Sequence, residues 1–121
     1  MSSSLLMDKS YKFALRIVKL YRYLSSHREY ILSKQVLRSG TSIGALLSEA
    51  KYAQSKADFI SKLSIALKEA NETHYWLRLL KDSDYLTLQE YQNIEPDIEE
   101  LIKLLVSSIK TLKGDKLIDK R

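Results

Sequence analysis

The sequence predicts an all-α fold, an antiparallel up-down four-helix bundle assembling as a homo-oligomer, and three observations carry that expectation. One proline and three glycines in 121 residues leave few helix breakers. Alternation of β-branched residues bounded by turn pairs is missing throughout. Apolar residues instead recur at three- and four-residue spacing in four stretches separated by short polar segments. A chain of this length fits one domain, taken as residues 1–121 with 114–121 as a frayed tail.

The first helix is expected from Asp8, a good N-cap, to Ser26, with Phe13, Ile17, Leu20, Tyr21 and Leu24 on one face. A loop, "SSHRE", follows. The second helix is expected over Leu32–Gln54. "SKAD", Ser55 to Asp58, reads as a variant capping box that opens the third helix, whose seam is Phe59, Leu63, Ala66, Ala70, Thr73, Leu77 and Leu80. Thr87 with Glu90 forms a second capping box, opening a fourth helix with Tyr91, Ile94, Ile98, Leu101, Leu105, Ile109 and Leu112 inward, up to Gly114. Pro96 lacks the N–H that a helix interior requires, so this helix either kinks there or restarts with Pro96 in its first turn.

The second helix raises a question of its own. "VLRSGTSIGALLSEA", residues 36–50, collects weak helix formers and almost no charge. Val36, Ile43, Leu47 and Ala50 share the core side, while Gly40, Gly44 and Ser48 line up beside it at four-residue spacing, where small side chains admit a second helix backbone. Arg38, Ser42, Ala45 and Glu49 form an outer stripe with its charges at the ends, the pattern of a contact rim. In the third helix Ile65, Trp76 and Leu79 fall roughly opposite the seam. Apolar second faces on two helices predict self-association, with Arg38, Gly40, Ser42, Gly44, Ala45, Glu49, Ile65, Trp76 and Leu79 as the interface. The loop after the first helix, or the tail, folding over these residues is the competing reading.

Twenty Lys and Arg stand against fifteen Asp and Glu. The surplus lies in the first half: residues 1–54 hold nine bases and three acids, residues 55–121 eleven and twelve. Lys9, Lys12, Arg16 and Lys19 recur at helical spacing on one face of the first helix, with Tyr23 on the same side. Such a stripe would contact the phosphates of RNA or DNA, reading charge rather than bases. An ordinary solvated helix face is the competing reading.

Catalysis finds little support. There is no glycine-rich phosphate loop and no nucleophile motif. The chain lacks cysteine. His27 falls in a loop, and His74 reads as a hydrogen-bonded structural histidine, since neighbouring Glu72 points elsewhere and no second histidine or cysteine completes a metal site. No enzyme activity, cofactor or metal is therefore expected. The absence of cysteine, of an export signal and of a membrane span makes the cytoplasm the expected compartment.

"LRSGTSIGALLSEA" followed by "SKADFISKLSIALKEANETHYWLRLL" resembles the four-helix-bundle proteins of the 23S ribosomal RNA intervening-sequence family. Arg38, Ser39, Ser42, Ile43, Glu49, Asp58, Phe59, Glu72 and Leu77 carry the resemblance, which covers nearly the whole chain. Where many members have an asparagine after the small residues, this chain has Leu46. The resemblance implies a homopentameric ring, association with nucleic acid and no catalysis; a related branch serves reverse transcriptases as an accessory protein. Two partners thus compete for the basic surface, a nucleic acid and an acidic protein such as a reverse transcriptase.

Overall fold

The computed structural model describes the backbone of residues 3–119 and the side chains of residues 5–114. Four helices, α1 (Ser3–Ser26), α2 (Leu32–Ala50), α3 (Lys56–Asp82) and α4 (Leu88–Asp119), account for nearly all of it, and no strand occurs among the described residues. α1 packs on α2 and α4, α2 on α3, and α3 on α4. The four therefore close a square, with sequence neighbours as spatial neighbours. Its centre is an apolar column in which Phe13, Ile17, Leu24, Ile43, Leu63, Leu77, Leu80, Ile98, Leu101 and Leu105 are at most 2 % exposed. The seams expected from spacing largely coincide with the buried faces, though Leu20, Tyr21, Phe59, Tyr91, Ile109 and Leu112 are half-buried; each fully buried large aliphatic member contributes about 1.5–3 kcal/mol through removal from water.

Three boundaries differ from expectation, each for a local reason. α1 begins at Ser3 rather than Asp8, because Leu6 is buried and extends the apolar face by a turn. Asp8 consequently lies within the helix, where its carboxylate pairs with Lys12 one turn later at 3.2 Å. α2 ends at Ala50 instead of Gln54. The Gln54 N–H is taken by the Asp58 carboxylate at 3.1 Å while Ser55 Oγ accepts the Asp58 N–H at 3.0 Å, so Gln54 belongs to the start of α3. α4 does not stop at Gly114 but continues to Asp119; of the tail expected over 114–121, residues 120 and 121 lie outside the described residues. It also runs through Pro96 as one helix, without restarting there. Thr87 and Glu90 exchange both bonds of a capping box, at 2.8 and 3.1 Å.

The small residues of α2 serve packing inside the bundle. A Cβ built on Gly40 would lie 2.8 Å from Ile17 Cγ1 and 2.9 Å from Cγ2, so only glycine lets α1 come this close. One turn on, Gly44 faces Ser10, where a Cβ would meet Oγ at 3.4 Å. On the opposite flank the buried hydroxyls of Ser39 and Thr73 meet at 2.9 Å, joining α2 to α3. Gly40 is buried within the chain and is therefore no part of an outward-facing interface.

The helix ends repeat one device. Arg28 (φ 66°) follows α1 and Asp84 (φ 69°) follows α3, both in the left-handed region. Around each, the next N–H reaches back to close the last turn: Glu29 to the Leu24 carbonyl and Tyr85 to the Leu80 carbonyl, both at 2.9 Å.

Candidate nucleic-acid interface

The predicted stripe Lys9, Lys12, Arg16, Lys19 and Tyr23 does lie along α1, but most of its charge is met. Lys9 pairs with Glu100 at 3.1 Å, Lys12 with Asp8, and Arg16 with Asp97 at 2.5 Å. Arg16 also donates to the side chain and the backbone carbonyl of Asn93. The expectation of a stripe without acid is thus corrected: α4 brings Asp97 and Glu100 alongside, and Asp8 joins from one turn below Lys12.

Beyond Arg16 the picture changes. Between residues 17 and 48 the only carboxylate is Glu29, against Lys19, Arg22, Arg28, Lys34 and Arg38. Glu29 is 7 % exposed, and its oxygens accept the backbone N–H groups of Ile31, Leu32 and Ser33 at 3.2, 3.0 and 2.5 Å. It caps α2, its charge facing the positive end of that helix. Arg38 is held by Glu69 and Glu72 of α3 at 3.2 and 2.5 Å. Lys19, Arg22, Arg28 and Lys34 have no ion-pair partner among the described residues, and all four are exposed. Around them Tyr23 and Tyr30 are exposed, and the Tyr23 ring lies 4.2 Å from that of His27. Lys19 and Tyr23 also line a groove of about 550 Å³ between α1 and α4, with Gln89 and Asn93 opposite. Glu90 borders it, with its carboxylate turned back to the Thr87 N–H.

Cations interleaved with exposed aromatics at the α1–α2 corner suit a phosphate backbone and unstacked bases. Lys19 and Tyr23 were legible as part of the stripe. Arg22, Arg28, Tyr30 and Lys34 were missed because the patch turns a corner, which no single-helix periodicity describes. The available signal was the run from 17 to 48 with one acid.

The expected interface residues divide. Ala45 and Glu49 are exposed, Ile65 is 40 % exposed, and Ser42, Gly44 and Leu79 are half-buried. Trp76 is also half-buried: it packs partly against the core and donates from Nε1 to Glu72 at 2.9 Å. That bond first, and the Arg38 guanidinium second, hold the Glu72 carboxyl below its ordinary range, while the bond to Glu72 raises Arg38. Arg38 is therefore a strut to α3. Leu46, in the position the resemblance marks for asparagine, packs against the core. An open groove of about 580 Å³ lies elsewhere, where Tyr11 and Ala14 of α1 face Thr41, Gly44, Ala45 and Ser48 of α2. Tyr11, on its α1 side, is exposed.

His74 does have a hydrogen-bond partner, though not Glu72: its Nε2 lies 2.9 Å from Glu95 Oε2 of α4. No described helix is long and apolar enough to cross a membrane.

A four-helix arrangement with this small-residue second helix defines the class. The chain belongs to the 23S rRNA-intervening sequence protein family, whose model matches residues 3–107. It is also similar to a crystal structure, at 1.70 Å resolution, of a protein with unknown function from the S23 ribosomal protein family of Bacteroides thetaiotaomicron VPI-5482. The two share 56 % identity and a TM-score of 0.88, over 91 % of this chain and 99 % of that one. Among curated proteins none matches.

Proposed function

We propose that the protein is a non-catalytic, oligomeric bundle that binds the backbone of RNA or DNA through the α1–α2 corner. The observation that carries this reading is the group Lys19, Arg22, Arg28 and Lys34, exposed and without ion-pair partners among the described residues beside Tyr23 and Tyr30, with the local carboxylate, Glu29, turned inward. The family name, which refers to an intervening sequence of 23S rRNA, is in keeping with it. Four phosphate contacts per chain give a logarithmic salt slope of about −3 on single strands.

The test is a salt series of binding to structured RNA and to duplex DNA. Changing Lys19, Arg22 and Lys34 together to Glu should abolish binding at moderate salt. Changing Lys9 and Lys12 should alter it little. Binding that tolerates the first set and fails with the second would return the contact to the middle of α1. An acidic protein such as a reverse transcriptase, held by the same corner in place of any nucleic acid, is the outcome that would replace this reading.

The bundle is read as antiparallel throughout, supported by pair registers that fall on one helix as they rise on the next: Arg38 with Glu72 and Glu49 with Lys62, Arg16 with Asp97 and Lys9 with Glu100. Self-association is assigned to the Tyr11–Ala45 groove, whose apolar walls a second copy would cover. Light scattering on Ala45→Glu tests it; an unchanged particle mass would remove the groove from the assembly.

A further inference from the structure

We propose that His74, Glu95 and Glu99 form a binding site for one divalent transition-metal ion that clamps α3 to α4. One nitrogen and two carboxylate oxygens, from two helices, all lie within 4.8 Å of one another. Glu95 and Glu99 stand one turn apart on α4, so both reach the same side. His74 and Glu95 are half-buried and already in contact at 2.9 Å, which fixes two of the three donors by packing. The third is adjustable: Glu99 is exposed, and its present partner, Lys103, is 3.9 Å away. A zinc ion about 2.1 Å from each donor in tetrahedral geometry sets donors about 3.4 Å apart, which a short inward swing of Glu99 achieves.

The field of the two carboxylates also reaches Tyr91. The Tyr91 hydroxyl is pushed up, by burial first and then by the field of Glu95, with Asp82 and Glu99 adding to it and Arg78 opposing. Lys81 lies 4.7 Å over the Tyr91 ring. One imidazole with two carboxylates selects ions of the zinc, cobalt and manganese type over calcium or magnesium, which take all-oxygen shells. Three protein donors leave water in the remaining positions. Binding to the folded state alone would raise stability with metal concentration.

The experiment titrates zinc chloride into the chelator-treated full chain by calorimetry, with cobalt absorption as a second readout. One ion per chain is expected, together with a melting temperature that rises with metal. Glu99→Gln should weaken binding at least tenfold and leave the metal-free melting temperature almost unchanged, since this side chain is exposed. His74→Gln should abolish the cobalt bands, and His27→Ala should change nothing. Stoichiometry well below one, binding indifferent to Glu99→Gln, or binding lost with His27→Ala would overturn the site; if His74→Gln fails to fold, Glu99→Gln decides.

Discussion

Gly40 decides how near α1 can come to α2. Replacing it with Ala gains about 1 kcal/mol of helix propensity but drives a methyl into Ile17, whose buried position leaves it no room. Overpacking of this kind costs about 1–3 kcal/mol, so the clash wins, and urea unfolding should show a net loss. Gly44→Ala is the contrast: its nearest neighbour, at 3.4 Å, is Ser10 Oγ, and the same measurement should show little change or a small gain. Glu72 supplies a pH test. Its folded value is depressed, so its contribution is complete above the ordinary carboxylate value of 4.5 and is lost as pH falls through the lower folded value. Unfolding midpoints should therefore drop more steeply in acid for the wild type than for Glu72→Gln.

At the scale of the element, the helix ends add to what the seams supply. Glu29 accepts three N–H groups at the start of α2, and Glu29→Ala should cost about 2 kcal/mol by thermal or urea unfolding, more than an exposed cap. Asp84 holds a left-handed position for which glycine carries no steric cost, so Asp84→Gly should stabilise by about 0.5–1 kcal/mol. These features separate what was legible in the sequence from what was not. The seams and both capping boxes follow local rules, and Leu63, Leu77, Ile98 and Leu105 are buried where periodicity put them. Glu29 escaped because a glutamate four residues before Ser33 is not a usual cap, and its role depends on the loop's path. Spacing places Trp76 opposite the seam but does not show that Glu72, one turn away on its own helix, receives its N–H.

For the whole molecule, the partition of charge was only half visible. Lys9, Lys12, Arg16 and Lys19 form a stripe in any helical projection, but Asp97 and Glu100 lie more than eighty residues from Arg16 and Lys9 and arrive only through the packing of α4 on α1. The candidate site therefore lies at the corner, with Lys19 and Tyr23 in it, and not along the middle of α1. The same packing explains the split among the predicted interface residues. Gly40 is consumed inside the chain, Trp76 is half-buried against the core, and Ala45 is left at the groove. A purified chain whose scattering mass stays at 14.0 kDa at high concentration would remove the oligomer while leaving the corner testable by itself.

The inward turn of Glu29 has a practical outcome for anyone wishing to retune that corner. A formal tally sets its negative charge against Lys19, Arg22, Arg28 and Lys34, yet an approaching polyanion would meet four cations without ion-pair partners among the described residues, with the carboxylate turned to the backbone of α2. Softening the attraction calls for a new acid on the solvent side, because deleting or reversing Glu29 would unravel the first turn of α2 before it changed what the visitor feels.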